Sequence, residues 1–407
     1  MSVTFNEAID LISNINISNS YEIIPIETAS NRVCGEDIYA TSNLPKFNNS
    51  AMDGYAVLDI NIDDELTIAQ TVFAGDVKPQ NIKNNQTIKI MTGAIVPSNT
   101  VAIIPKEDIK QLNDKKIKIQ KDIKEFQHIR FEGEDIKKDD LLIQKSELLE
   151  YSKITLLASQ GISHIKVYKK PKIVVFASGE ELKLHYDYAQ PHQIYNSNTP
   201  TYLARAKELG CDTVFIGQAN DNIDSLKELI KNSLDANLII TSGGVSVGDA
   251  DFTKEAFEQL DFESIIDTIA VKPGKPTIFG KIDNTYVLNL PGNPLASALI
   301  FEVFGKLIIQ KLLGNKNIHY NYIQTKLAHD FKNKKGRITI LPGVFDGESF
   351  TISQNRSPGM VSTLSSCNAI TIFDSEIDNL EKNTKIKILP IKWNFFTDKK
   401  KDFITYE

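Results

Sequence analysis

The sequence predicts a multidomain α/β plus β protein: a central α/β unit on a parallel sheet, an inserted β-rich unit, a helical and extended linker, and a small C-terminal β-barrel. Three observations predict it. From Pro171 onward, apolar strands alternate strictly with helical patterns, the texture of a parallel sheet covered on both faces. Between residues 21 and 138 the apolar runs are short, alternating and broken by Asn, Gly, Pro and Asp, which reads as mostly β. After residue 318 a β-rich texture returns, with turn signals at Pro342-Gly343 and Asp346-Gly347.

Taken in order, residues 4–15 read as a short amphipathic helix with Phe5, Ala8, Ile9 and Ile12 on one face. Strands follow at Tyr55–Leu58, Thr87–Met91 and Val101–Ile104, and Ser146–Ala158 returns to helical spacing. The α/β alternation then runs as strand Ile173–Phe176, helix Pro200–Leu209, strand Thr213–Ile216 and helix Ile223–Leu234. Strand Leu238–Ile240, helix Phe252–Leu260, strand Tyr286–Leu290 and helix Leu295–Leu313 complete it. The expected division is 1–20 with 139–170 as an elongated linker, 21–138 inserted, 171–316 as the α/β unit and 318–407 as the barrel.

Composition narrows the function. Hydrophobic residues at 41% and charged residues at 24% describe an ordinary globular protein, and 407 residues are too many for one core. A net charge of −6 argues against a general nucleic-acid or membrane-surface binder. Cys34, Cys211 and Cys367 stand far apart and read as small buried hydrophobes. No apolar run reaches the ~18 residues of a membrane span, and the start is no signal peptide, so the cytoplasm is the expected location. The histidines show no zinc-hydrolase spacing.

The chemistry gathers at strand ends. Thr241–Asp251 follows an apolar strand and precedes a helix, and Gly243, Gly244 and Gly248 let its backbone present N–H groups to an anion. Ser242 and Ser246 lie among them, and Asp249 and Asp251 add hard oxygen ligands suited to Mg²⁺ beside a phosphate. Asp251 also suits the N-cap of the following helix, and Asp221 with Asn222 suits another. Lys272 and Lys275 sit on a stiff turn with Pro273, Gly274 and Pro276, where both ammoniums can converge on an oxyanion. Leu290-Pro291-Gly292-Asn293-Pro294 closes one more strand. In open α/β sheets ligands bind at such carboxyl ends.

Ser242–Asp251, Lys272–Pro276 and Leu290–Pro294 together resemble the molybdopterin molybdenumtransferases, the MoeA family that includes the gephyrin E domain. Ser50–Ala56, Ile90–Ala94, Arg130 with Gly133 and Asp135, and Ser178-Gly179 with Glu181-Leu182 resemble further motifs of that family in its own order. The resemblance covers nearly the whole chain and is weakest after residue 330. It implies a molybdopterin-binding type of α/β unit and an enzyme that inserts molybdate into adenylylated molybdopterin, releasing AMP. It assigns Lys272 and Lys275 to molybdate or pyrophosphate, and a Mg²⁺ to acids drawn from Glu181, Asp221, Asp249 and Asp251. It brings Asp53, Thr92 and Asp135, with Arg130, to the site across a homodimer, and it allows contact with the adenylyltransferase and with molybdoenzymes. Residues 171–316 alone resemble that adenylyltransferase, and a non-catalytic cofactor carrier of the same fold is the further alternative. The sequence does not separate molybdate from tungstate.

The C-terminal part departs from the family. Gly336-Arg337-Ile338-Thr339-Ile340-Leu341-Pro342-Gly343 places Pro342 where the family has a second arginine, and Pro358 stands where it has a serine. Both belong to the family's oxyanion site, so weakened molybdate capture is expected unless Arg337 or Arg356 reaches the anion from a new direction.

Overall fold

The computed structural model describes residues 2–59, 65–77, 79–122, 124–220, 222–243, 252–392, 400, 402 and 404. Its centre is a six-stranded sheet. In chain order its strands are β1 (Lys172–Ser178), β2 (Asp212–Ala219), β3 (Leu238–Ser242), β4 (Glu263–Ile266), β5 (Ile278–Ile282) and β6 (Thr285–Leu290). In space they run β2-β1-β3-β6-β5-β4. The first four are mutually parallel, whereas β5 and β4 add antiparallel at one edge. The sheet is therefore mixed, not purely parallel. β5 and β6 are joined by a tight turn with Asp283 at φ 52°, and so short a connection can only make antiparallel neighbours.

Residues on β1, β3 and β6 alternate between two cores, one for each face. Ile173, Val175, Leu238, Ile240 and Leu288 join the larger core with Tyr202 and Phe304. Val174, Phe176, Ile239 and Val287 join the smaller one with Leu226, Ile230, Ala256 and Phe257. The covering helices are Asn198–Glu208 and Ile223–Lys231, Phe252–Glu258, and the long segment Pro294–Leu312. Asn222 caps the second of these by accepting from Ser225 N–H at 2.8 Å. The long segment starts with Pro294 at its first turn, is π-helical over Phe301–Gly305 and ends as Lys306–Leu312.

The N-terminal helix Phe5–Ser13 opens with a reciprocal cap, Thr4 N–H donating to Glu7 and Glu7 N–H to Thr4. Ala8 and Ile12 bury in the larger core against the long helix. Tyr21–Pro25 pairs antiparallel with His164–Tyr168, so the chain leaves this ladder, forms the β-rich region and comes back to it. That region holds a six-stranded sheet ordered Ala102–Pro105, Gly54–Val57, Gln86–Ile90, Glu65–Val72, Lys116–Ile119, Ile109–Asn113.

At the C-terminal end Ile338–Phe345, Ser349–Ile352, Ile323–Leu327, Lys385–Pro390 and Ala369–Phe373 pair in a closed circuit, the small barrel expected. The turn expected at Pro342-Gly343 is absent. Both residues lie inside Ile338–Phe345, where Pro342 is buried opposite Ile370 and accepts from Ser353 N–H at 3.0 Å through its carbonyl. Val271–Lys272 joins this barrel parallel to Ile338–Thr339, so one strand of the barrel sheet comes from the α/β unit. Cys34, Cys211 and Cys367 are free and buried, as expected, and burial pushes the Cys211 thiol up to about 12. No helix among the described residues is long and apolar enough to cross a membrane.

Arg205 ties three pieces together. Its guanidinium grips Glu302 with two bonds of 2.6 and 3.1 Å and donates to the Ile391 carbonyl at 3.0 Å. Both side chains are mostly buried, at 21% and 13% exposure, and the other carboxylate on Arg205, Glu208, is 65% exposed, so deleting Glu302 leaves the guanidinium with only a surface counter-charge. Glu302→Ala should cost about 3 kcal/mol in urea-induced unfolding. A loss well under ~1 kcal/mol would mean the pair is solvated enough to be dispensable.

Candidate functional site

Strands β1, β3 and β6 end side by side, and a cleft of ≈ 410 Å³ opens at their carboxyl edge. Ser178, Glu181, Ser242, Gly243, Gly292 and Asn293 line it, with Pro276 and Pro291. Backbone proximity explains the glycine at 243. Its φ is 94°, and a Cβ there would stand 3.2 Å from the Ser178 carbonyl oxygen. Asn198, at the start of its helix, holds the floor by donating to the Gly292 carbonyl at 2.8 Å and to Ser242 Oγ at 3.3 Å. The Ser178 hydroxyl is buried against the cleft and has no hydrogen-bond partner among the described residues. Such an orphan is satisfied when a ligand or water supplies the missing contact.

Glu181 sits in the loop after β1. Gly179 has φ 132°, and Gln218 Nε2 fastens that loop by donating to the Gly179 and Leu182 carbonyls at 2.5 and 3.1 Å. Sequence reasoning missed Gln218 and Asn198. An amide that acts mainly on backbone carbonyls leaves no motif. Gly244, Ser246, Gly248, Asp249, Asp251 and Asp221, all expected here, lie outside the described residues.

A second cleft, of ≈ 540 Å³, lies at the junction with the barrel. Lys272, Lys332, Lys334 and Arg356 line it, and no carboxylate is among its described lining residues. Four cations with no carboxylate among the described lining residues make the cleft locally positive in a chain whose net charge is −6. The Arg356 guanidinium lies 5.1 Å over the Phe331 ring and donates to the Ser353 carbonyl at 3.0 Å, which fixes its direction.

The two clefts share a wall. Lys272 and Pro273 face the basic cleft, and Pro276 faces the polar one. Between them Gly274 (φ 111°) presses on the long helix so closely that a Cβ would fall 2.2 Å from Ile300 Cγ1. On the other side the Pro358 carbonyl accepts from Leu295 and Ala296 N–H at 2.9 and 3.2 Å, closing the helix start. Lys275, expected to converge with Lys272, lines neither cleft. Its carbonyl accepts from Ile269 and Thr277 N–H, and the turn sends its side chain to the exposed surface. Pro342 also lines neither cleft, Arg337 stays exposed outside both, and Arg356 enters the basic one.

The β-rich region gathers its own motifs. Asp53 Oδ1 accepts from Thr92 N–H and from Thr92 Oγ1, both at 2.8 Å. Gly93 N–H donates to the Ser50 carbonyl at 2.8 Å, and Ser50 and Asn49 pair with Ile129 and Arg130. Asp135 is exposed on the following loop, its N–H bound to the Leu44 carbonyl at 3.1 Å. Asp53, Thr92 and Asp135 line neither cleft of their own chain.

A glycine-lined carboxyl edge above a polar cleft, backed by a basic one, defines an α/β protein that handles an anionic ligand at a sheet end. Comparison with known proteins makes this specific. Residues 3–161 match the family model described as "MoeA N-terminal region (domain I and II)" and residues 174–311 match the "Probable molybdopterin binding domain". A molybdopterin molybdenumtransferase of Haemophilus influenzae is 36% identical over 345 residues, covering 82% of this chain and 84% of that protein. One from Staphylococcus epidermidis is 32% identical over 347 residues, covering 83% and 82%. The crystal structure of a molybdopterin biosynthesis MoeA protein from a Pyrococcus species superposes with TM-score 0.82 at 28% identity, over 97% of this chain and all of that one. The chain belongs to the molybdopterin molybdenumtransferase family.

The Thr92 backbone N–H, and after it the Thr92 hydroxyl, hold the Asp53 carboxyl below the usual carboxylate range. A depressed pKa stabilises the fold above the ordinary Asp value of ~3.9, and that support is lost as pH falls through the lower folded value. Thr92→Val should move the Asp53 titration, followed by carboxyl NMR shifts, only part of the way back, because the larger donor is backbone. Full return to the ordinary value would assign the effect to the hydroxyl alone.

Proposed function

We propose that this chain inserts molybdate into adenylylated molybdopterin and releases AMP, in the cytoplasm. The observation that carries the reading is the wall shared by the polar and basic clefts. Because Lys272 and Pro276 belong to one short turn, a phosphorylated pterin in the first cleft and an oxyanion in the second are held within one turn of each other. In this reading the pterin pyrophosphate lies toward Gly243 and the Ser178 hydroxyl, and molybdate enters between Lys272 and Arg356. Arg356 stands in for the arginine and serine that the family has at Pro342 and Pro358. The catalytic contribution is then positioning and charge neutralisation, as the metal oxyanion meets the dithiolene sulfurs and the adenylate is cleaved.

A Mg²⁺ fits this arrangement in one way. Among the described residues no three His, Cys, Asp or Glu side chains gather to cage a metal. Glu181 and the orphaned Ser178 oxygen instead suit an ion that takes one or two carboxylates and completes its shell with phosphate and water. Asp221, Asp249 and Asp251 are the further acids we would assign to it. When bound, it neutralises phosphate charge. We also infer a homodimer in which Asp53, Thr92 and Asp135 close the partner's cleft, since they line neither cleft of their own chain. The same faces would meet the adenylyltransferase that supplies the substrate and the molybdoenzymes that take the product.

Molybdate-dependent AMP release from adenylylated molybdopterin tests the activity. The purified chain should release AMP, Glu181→Gln should lower the rate by about 100-fold, and mixing it with Asp53→Asn should restore part of the rate. A wild-type chain that releases none sinks the reading, and failed rescue in proven heterodimers sinks the shared site. Arg356→Ala should raise half-saturation by molybdate about tenfold and leave it less dependent on salt, since one screened charge contact is gone. An unchanged titration would mean that Arg356 only braces Phe331.

A further inference from the structure

The polar cleft carries a single aromatic side chain among its described lining residues, Tyr195. Every other described wall is small, polar or aliphatic, so Tyr195 offers the one aromatic face among them for a flat ring. Tyr195 is 53% exposed and Ile194 beside it 59%, a bare apolar step at the rim of an otherwise polar cleft. Tyr21, Tyr168, Tyr202 and Tyr286 all stack on another ring, whereas Tyr195 makes no ring contact among the described residues.

The backbone under Tyr195 is nonetheless fixed. Leu182–Lys183 pairs in parallel with Ile194–Tyr195, Ile194 N–H donating to the Glu181 carbonyl at 2.9 Å and Asn196 N–H to that of Lys183 at 2.8 Å. Asn196 and Thr199 then lock the segment to the next helix, amide to hydroxyl at 2.8 Å and N–H to amide oxygen at 3.1 Å. A ring on such a base has only its own two side-chain torsions left to lose on binding. The same ladder carries Glu181, which places a carboxylate in the cleft beside the ring.

We propose that Tyr195 is the stacking platform for a bicyclic nitrogen heterocycle of the substrate, and therefore a specificity-determining residue of this cleft. The ring lies on the face of Tyr195 with Ile194 at its margin, and its polar edge turns to the interior amides and hydroxyls. This rests on the reading that adenylylated molybdopterin occupies the cleft. That substrate carries two such rings, adenine and pterin, with the same stacking chemistry.

Two soluble probes separate them. AMP is titrated calorimetrically, and 6-hydroxymethylpterin by its own fluorescence, into the full chain and its Tyr195→Phe and Tyr195→Ala variants, with inorganic pyrophosphate as the ring-free control. Tyr195→Ala should weaken one ring probe about tenfold, while Tyr195→Phe, which keeps the face, stays within about twofold of wild type. The probe that responds names the ring, and pyrophosphate should bind all three proteins alike. Equal affinity of Tyr195→Ala and wild type for both rings overturns the proposal, as does an equal loss for pyrophosphate or a wild-type chain that binds neither ring. AMP release by the wild-type chain then tells the two failures apart. Release shows that only the stacking platform is wrong, and no release shows that the cleft was misread.

Discussion

The structure turns on the contact between the Lys272–Pro276 turn and the long helix that begins at Pro294. Gly274 meets Ile300 with no room for a side chain, and the start of the same helix is closed by the carbonyl of Pro358. One helix thereby carries both walls of the site. Its first residue faces the polar cleft, and Leu299, a turn and a half later, faces the basic one. Any shift of the turn along the helix would move Lys272 and Pro276 together, so the spacing of the clefts is fixed by packing rather than by loop conformation.

The barrel is held to this arrangement at two further points. Val271–Lys272 adds to the barrel sheet beside Ile338–Thr339, and Arg205 reaches from the α/β unit to Glu302 and to the Ile391 carbonyl. A lysine delivered on a barrel edge strand and an arginine delivered by a barrel loop thus converge from opposite sides of one junction. These cations act at short range, so the acidic surface elsewhere in a chain of net charge −6 does not cancel the positive character of the cleft.

What the sequence made legible followed from periodicity and from backbone need. Ile173–Phe176 and Leu238–Ile240 are apolar on both faces, which only a doubly covered strand tolerates, and Gly243 and Gly292 mark where backbones approach. The edge strands β4 and β5 were not legible, because Glu263–Ile266 is short and half exposed and Ile278–Ile282, though largely buried, is short and broken by Gly280 and Lys281. Pro342-Gly343 misled for a related reason. A Pro-Gly pair signals a turn on local grounds, but here Gly343 lets the barrel strand pass Thr351 and Phe350, where a Cβ would sit 2.3 Å from the Thr351 carbonyl oxygen. Tertiary packing overrode the local preference.

The site divides in the same way. Residues that enter a cleft from a strand-end turn sit in dense motifs and can be read from one chain: Ser242, Gly243, Glu181 and Lys272 all line one. Residues that owe their role to a distant contact cannot. Arg356 enters the basic cleft with its guanidinium over the Phe331 ring, a contact with a residue remote in sequence that no local pattern announces. Lys275 shows the converse, since a lysine three positions from Lys272 on a stiff turn reads as its partner, yet the bonds from Ile269 and Thr277 to its carbonyl set the turn's direction and carry it away. Proline at position 342 therefore leaves the cations of the basic cleft in place. Position 342 is buried in the barrel wall and lines neither cleft, whereas the described cations of the basic cleft come from the strand end that carries Lys272, the segment that carries Lys332 and Lys334 and the loop that carries Arg356.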